Sequence, residues 1–182
     1  MAINLGAIFA DDDLTVHLGL LSEIEPPYDG DKPLLSTIDG ETDVIIVART
    51  GSGGQFIRTA SQPRLFYCSS EGQAGLLADD LDGLMTLIVR CPEWQSVLKY
   101  SGGGRLDEMR RAAAILDEHW SVDDEAVSAR DQLSTHLGLD VQRDIIADLH
   151  RAISTTVEIR DLWGQACLPL AGTYTIDDNP MV

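Results

Sequence analysis

A chain of 182 residues with 44% hydrophobic residues is long enough for one domain with a buried core, and its composition is unlike that of disordered proteins. Its formal net charge of −17 argues against direct binding to nucleic acid or to an anionic membrane, because a field of that sign repels phosphate groups. The same field would attract a cationic protein partner, although acidity also serves simply to keep a small protein soluble.

The negative charge is concentrated in the two terminal thirds of the chain. Residues 1–48 hold ten acidic residues and one basic residue, and residues 116–182 hold thirteen and four. Residues 49–115 are nearly balanced, with seven acidic and eight basic residues. This layout predicts that a cationic partner meets the terminal thirds of the chain rather than its middle.

The cysteines and histidines predict neither a metal site nor a cofactor. Cys68, Cys91 and Cys167 are odd in number, widely spaced and outside any CxxC pair, which argues against a disulfide framework or a structural zinc site. The histidines are scattered, without the short spacing that places two ligands on one face. The N-terminal stretch lacks the basic region of a signal peptide, and no apolar run is long enough to span a bilayer. We therefore expect a cytoplasmic chain with reduced thiols.

The N-terminal residues 1–43 carry few decisive patterns. The segment 14–24 fits either a short helix or a strand, and a proline-rich loop follows it. The acidic triplet Asp11, Asp12 and Asp13 is typical of a solvated helix cap or loop, and its alternative role is to contribute to the binding site of a cationic partner.

The segment 44–78 predicts an antiparallel meander. Four apolar stretches are separated by short connections that contain glycine or proline, which favour hairpins over crossover helices. The predicted strands are Val44–Ala48, Gln55–Thr59, Arg64–Cys68 and Ala74–Ala78.

A glycine-rich turn with Gly51, Gly53 and Gly54 joins the first two predicted strands. A phosphate-binding loop is the alternative, because glycines allow backbone N–H groups to approach an anion. The Lys-Ser/Thr pair of a Walker loop is absent, however, and Phe56 stands where the dinucleotide pattern requires a small residue. We therefore expect a hairpin turn that needs a positive φ.

A second turn, rich in serine and glycine, precedes the last predicted strand. Its residues are Ser69, Ser70, Glu71 and Gly72, and Gly75 follows within the strand. No Gly-x-Ser-x-Gly elbow occurs in the chain, so the serines do not indicate a nucleophile. We expect Ser and Gly to close the loop and Glu71 to accept backbone N–H groups there.

The chain beyond residue 78 is predicted to be mainly helical, because apolar residues recur three and four positions apart. The first predicted helix follows Asp80, the second begins at Pro92, and the third runs from Leu106 to Trp120. The fourth spans about Asp123 to Leu137, with Gly138 as the closing residue. The fifth follows Asp140, with Ile145, Leu149 and Ile153 facing inward. A further strand is permitted around Val157 and Ile159, and the polar tail after Gly172 is expected to be loose.

The three tryptophans are predicted to have different roles. Trp94 and Trp120 lie on apolar helix faces, which indicates core positions. Trp163 lies next to Gly164 outside the predicted helices, which favours a surface anchor for a partner.

The segment 44–90 resembles the SUKH superfamily. The features that carry this resemblance are the glycine-rich turn after the first strand, the turn Ser70-Glu71-Gly72, the strand that begins at Ala74, and the helix with its apolar residues from Leu81 to Leu87. The resemblance implies an antiparallel sheet packed against helices and a role without catalysis. Many bacterial members are immunity proteins that neutralise a cognate toxin, often a nuclease, by direct binding.

Together these patterns predict a single α+β domain over residues 1–182, with a sheet-plus-helix core at 44–90 and a helical extension at 105–155. We expect a non-enzymatic domain that binds a basic protein such as a cognate toxin, through candidate contact residues that include the acidic triplet, Glu71 and Trp163. One alternative is a small enzyme or ligand-binding domain whose site joins Glu71 to a distant histidine. Another is a subunit that self-associates through Trp163, Leu168 and Leu170.

Overall fold

The computed structural model describes residues 3–121 and 123–178, apart from the side chain of His119. Within these residues the fold is α+β, as the sequence predicts, with an antiparallel sheet and helices concentrated in the C-terminal half. The helices are α1 Leu5–Phe9, α2 Asp12–Ser22, α3 Leu81–Arg90, α4 Trp94–Lys99, α5 Leu106–Trp120, α6 Asp124–Leu137 and α7 Ile145–Ile153, and a 3₁₀ turn spans Ile176–Asp178. The strands are β1 Ile24–Glu25, β2 Leu35–Ile38, β3 Val44–Thr50, β4 Gln55–Thr59, β5 Leu65–Cys68, β6 Ala74–Ala78 and β7 Ile159–Asp161.

The predicted meander forms the main sheet, whose strand order is β1-β3-β4-β5-β6 with every neighbouring pair antiparallel. Strands β4 and β6 begin and end at the predicted residues, β3 continues to Thr50, and β5 begins at Leu65. The β3–β4 turn takes the hairpin form that was expected, with Gly53 at a φ of 88°. Glycine is suited to this position because it has no Cβ to clash in the left-handed region.

The main sheet is covered on both faces, which explains why all four residues of β5 are buried. Phe56, Tyr67 and Leu77 point into a core shared with the helices. The alternate residues Ile57 and Phe66 pack into a second cluster against the small sheet of β2 and β7. A strand buried on both faces has a continuous apolar sequence instead of an alternating one.

The N-terminal segment supplies two helices and two strands. Helix α2 occupies most of the segment that fitted either a helix or a strand, and Asp11 caps it by accepting a hydrogen bond from Leu14 N at 3.1 Å. Strand β1 forms one edge of the main sheet, while β2 pairs with β7 from the other end of the chain. The N-terminal segment therefore contributes to both sheets.

The predicted helices are present, with differences in detail. Helix α6 ends at Gly138, whose φ of 64° closes it as expected. The helix after Pro92 begins only at Trp94. Helix α7 turns its predicted face inward, with Leu149 buried together with Ile146 and Ala152. Ile145 and Ile153 also pack against the core but are only half-buried.

The expectation of a loose tail after Gly172 was wrong for the residues that the structure describes. Gly102 N donates to Tyr174 O, and Gly103 N donates to Gly172 O, each at 2.7 Å. Ile176 is completely buried in a small cluster with Tyr100 and other residues. The triple-glycine turn, whose backbone N–H groups bind the tail, therefore fixes the tail to the domain.

The three free cysteines have different environments, which predicts an order of thiol reactivity. Burial raises the pKa of Cys68 and of Cys91 to about 12, and it also raises the pKa of the half-buried Cys167. Because the thiolate is the reactive form, we expect Ellman's reagent at about pH 8 to modify Cys167 first and the other two only after unfolding. The variant Cys167→Ala should lose the early phase. Rapid modification of all three thiols in the native protein would contradict the buried placement of Cys68 and Cys91.

Candidate functional site

Two turns and the segment after β7 meet at one end of the main sheet. The β3–β4 turn approaches the β5–β6 turn, since a Cβ on Gly53 would lie 3.7 Å from the Cβ of Ser70. The segment after β7 joins them through hydrogen bonds from Leu168 N to Gly72 O at 3.1 Å and from Ala74 N to Leu168 O at 2.8 Å. Two candidate contact residues that are far apart in the sequence, Glu71 and Trp163, therefore belong to segments that meet at the same end of the sheet.

The motif glycines at this end have distinct structural roles. Gly54 lies against Tyr67, so closely that an added Cβ would be 2.1 Å from the Tyr67 hydroxyl oxygen. Gly75 lies beneath Leu170, whose Cδ1 would be 3.0 Å from an added Cβ, and Gly51 lies next to the Glu23 carboxylate. These glycines allow neighbouring side chains or strands to come close, which is a structural role.

The β5–β6 turn is closed by Ser69, the first of the two serines in the predicted turn. The Ser69 hydroxyl accepts hydrogen bonds from Glu71 N at 3.3 Å and from Gln73 N at 3.1 Å. Ser70 is exposed, and Gly72 has a φ of 86°. The Glu71 carboxylate was expected to accept backbone N–H groups, but Ser69 performs that role and leaves Glu71 exposed to solvent.

Trp163 lies at the tip of a hairpin formed by residues 159–168, which we call the Trp163 hairpin. The Asp161 carboxylate accepts hydrogen bonds from Trp163 N at 2.9 Å and from Gln165 N at 2.8 Å, which forms an Asx turn. Asp161 N donates to Gln165 O at 2.9 Å, and Arg160 donates to Gly164 O at 2.8 Å. The backbone of the tip is thus fixed, while the Trp163 side chain is 82% exposed.

The acidic triplet lies at a different place, beside an open groove between α2 and α6 with a volume of about 640 Å³. We call this feature the α2–α6 groove, and its lining residues are Asp11, Asp13, Leu14, His17, Asp131, Gln132, Thr135 and His136. Asp12 does not line the groove. The first turns of α2 face the last turns of α6, so the groove joins residues more than a hundred positions apart.

The groove carboxylates lack internal counter-ions. Among the described residues, nine arginines form ion pairs within 4.0 Å, and none of these pairs involves Asp11, Asp13 or Asp131. The neighbouring Arg130 pairs with Asp117 instead, at 2.9 Å. The groove therefore keeps an uncompensated negative charge that is exposed to solvent.

The candidate contact residues thus fall on two surfaces. Helix α2 is about 16 Å long at 1.5 Å per residue. Its last residue is followed by Glu23, whose backbone carbonyl accepts a hydrogen bond from Gly51 N in the β3–β4 turn at the sheet end. The acidic start of α2 lies one helix length away from that point. Glu71 and Trp163 belong to the sheet end, and Asp11 and Asp13 belong to the groove.

Two histidines, His17 and His136, also line the groove, which no sequence spacing indicated. The Nδ1 atom of His17 is buried and has no hydrogen-bond partner among the described residues. Within residues 3–121 and 123–178, no three His, Cys, Asp or Glu side chains are placed to share a metal ion. In the same part of the chain no helix has the length and apolar character to cross a membrane.

A comparison with protein-family models finds no match, and comparisons with curated proteins and with solved structures also find none.

Proposed function

We propose that this chain is a non-enzymatic, intracellular protein-binding domain of SUKH type, and that it acts as an immunity protein by binding a basic partner such as a cognate toxin. The observation that carries the proposal is the α2–α6 groove, in which Asp11, Asp13 and Asp131 have no basic partner within the described chain. Three carboxylates that share one concave surface repel one another, and a cationic side chain placed among them would relieve that repulsion.

The charge of the whole chain supports the same partner class. A net charge of −17 attracts cationic proteins over distances near the Debye length and repels polyanions. Nuclease toxins have basic surfaces that bind phosphate backbones, so an acidic protein complements them well. Electrostatic complementarity of this kind mainly accelerates association and selects the partner.

The order of elements in the chain supports the SUKH assignment. The glycine-rich turn between β3 and β4, the turn at Ser70-Glu71-Gly72, strand β6 and helix α3 follow one another in the order that the family resemblance implies. The helix begins after an Asp80 cap, with the Asp80 carboxylate accepting a hydrogen bond from Gly83 N at 2.8 Å. This agreement is the structural support for reading the domain as an immunity protein.

Growth rescue in a co-expression experiment tests the function. The chain is expressed together with the C-terminal domain of the product of the adjacent reading frame of its source genome, which the proposal identifies as the toxin. We expect restored growth and a complex that co-purifies. Absence of both rescue and a complex with any product of the neighbouring genes would remove the immunity proposal.

Neutralising the groove should weaken binding to that partner. We expect the double variant Asp13→Asn/Asp131→Asn to raise Kd by at least about tenfold at low salt, mainly through slower association, with a smaller effect at high salt. Asp11 is left intact because its carboxylate caps α2. Surface plasmon resonance at two salt concentrations measures the effect.

The matched control for this prediction is Asp43→Asn/Glu118→Gln, which removes the same charge from exposed positions outside the groove. We expect this control to change Kd by less than about threefold, because only the overall field is reduced. Equal effects of the two double variants would show that net charge, and not the groove, determines binding.

A small enzyme or ligand-binding domain is the second candidate, and the presence of His17 and His136 beside carboxylates in the groove favours it. Such groups are able to exchange protons with a bound molecule. The variant His136→Ala separates the two candidates. Loss of the protein's cellular function with unchanged affinity for the toxin would favour the second candidate.

A further inference from the structure

The Trp163 hairpin presents a large apolar side chain on a backbone that is already ordered. Hydrogen bonds to both the carboxylate and the backbone of Asp161 hold the tip, and the Ser36 hydroxyl donates to Asp161 O from the neighbouring strand β2. The Trp163 side chain itself is 82% exposed, and Leu162 beside it is 55% exposed. Because the indole is largely in solvent, burial in the core does not account for its presence on a fixed turn.

We infer that the Trp163 hairpin is the apolar anchor through which this chain binds a basic protein partner. The inference rests on the proposed function for the class of partner and adds the surface that the partner covers. Tryptophan is enriched at interface positions where one residue dominates affinity. An anchor on a preordered backbone also loses less conformational entropy on binding than one on a mobile loop.

A second copy of the chain does not fit this surface. Trp163, Leu162 and Leu168 together offer at most about 500 Å² of apolar surface, whereas a stable interface buries about 800 Å² on each partner, so polar and charged surface of this chain has to complete the interface. Leu170 does not enlarge the patch, because it packs against Gly75. Two copies would also bring together net charges of −17 each, so the small apolar gain would act against strong repulsion.

A basic partner complements both the apolar side chain and the negative charge of this surface. The indole face of Trp163 can bind an arginine guanidinium as well as an apolar cleft, and tryptophan is the strongest side chain for such cation–π contacts. Near the base of the hairpin, Leu168 is hydrogen-bonded to Gly72, which follows the exposed carboxylate of Glu71. A cleft lined by apolar groups and bordered by arginine or lysine would therefore complement this end of the domain.

Site-specific photo-crosslinking tests the inference. The full chain carrying Trp163→p-benzoylphenylalanine is irradiated in its native cells, and the adduct is identified by mass spectrometry. The control is Tyr174→p-benzoylphenylalanine, since Tyr174 is also an exposed aromatic residue, at 58%. The captured protein is then purified, and its Kd is measured for the unlabelled chain and for the variants Trp163→Ala and Tyr174→Ala.

We expect an adduct with a basic protein at position 163 but not at position 174. We also expect a Kd for that protein that rises by at least about tenfold with Trp163→Ala and changes by less than about twofold with Tyr174→Ala. An adduct with a second copy of the chain, equal labelling from both positions, no adduct, or an unchanged Kd for Trp163→Ala would overturn the inference. If groove variants weaken a complex that Trp163→Ala leaves intact, the proposed function stands and only the anchor role fails.

Discussion

Replacing Trp94 with alanine is expected to lower the free energy of unfolding by about 3–5 kcal/mol. Trp94 is 2% exposed and is among the largest side chains in the core. Its ring lies 4.9 Å from the Tyr67 ring in an edge-to-face contact and 5.9 Å from the Phe56 ring, measured between centroids. The truncation removes these contacts and leaves a cavity that a packed sheet-and-helix core fills only in part.

The matched control is Trp163→Ala, which makes the same chemical change at an exposed position. We expect it to change the free energy of unfolding by no more than about 0.5 kcal/mol, since surface substitutions away from special features have small effects. Urea denaturation followed by circular dichroism measures both values. A large loss for Trp163→Ala, or a small one for Trp94→Ala, would show that the two side chains are not placed as described.

The substitution Gly54→Ala is expected to destabilise the domain by about 2–3 kcal/mol through overpacking. An added Cβ would lie 2.1 Å from the hydroxyl oxygen of Tyr67 and 2.6 Å from its Cζ. The Tyr67 ring cannot easily move away, because it is buried against Trp94 and its hydroxyl accepts a hydrogen bond from Gln95 Nε2 at 3.2 Å. Either the β3–β4 turn or the aromatic cluster has to shift.

Gly19→Ala is the control for the glycine prediction. Gly19 is an exposed residue inside α2, and nothing lies within 4 Å of an added Cβ there. We expect a gain of about 0.5–1 kcal/mol, because alanine has the higher helix propensity. Opposite signs for the two glycine variants in thermal melts would confirm the close approach at Gly54, whereas a neutral Gly54→Ala would contradict it.

The local parts of the fold were predictable because each was specified by a few neighbouring residues. Strand β4 is preceded by a glycine and followed by a connection with serine and proline, and β6 lies between a glycine-containing turn and two aspartates, all residue types that favour turns. Helix α6 begins after the Asp123 cap and ends at Gly138, and both signals are visible in the sequence. In such segments local propensity and tertiary packing favour the same structure.

The inward face of α7 was predictable because its apolar residues fall on one side of the helix. At about 100° per residue, Ile145, Ile146, Leu149 and Ile153 lie within an arc of about 100°. Packing against β6, α3 and α5 buries Ile146, Leu149 and Ala152 most deeply. Only the degree of burial of each residue on that face depends on the tertiary partners.

The two candidate surfaces depend on contacts between distant parts of the chain. The α2–α6 groove joins Asp13 to Asp131, and no local pattern links them. The small sheet pairs Leu35 with Asp161 through strands of only three and four residues, too short for a clear alternation. The Asx turn at Asp161 was not predicted, although Asp161 followed by Leu162, Trp163 and Gly164 is a typical turn sequence.

Calorimetric titration of the purified chain with the product of the adjacent reading frame, the partner proposed above, at about 0.05 M and about 0.5 M salt tests most directly whether this acidic domain binds a basic protein. We expect a one-to-one complex of submicromolar Kd, whose affinity falls by at least about tenfold at the higher salt concentration because the contacts are electrostatic. No measurable heat of binding, or an affinity that is independent of salt, would contradict that role.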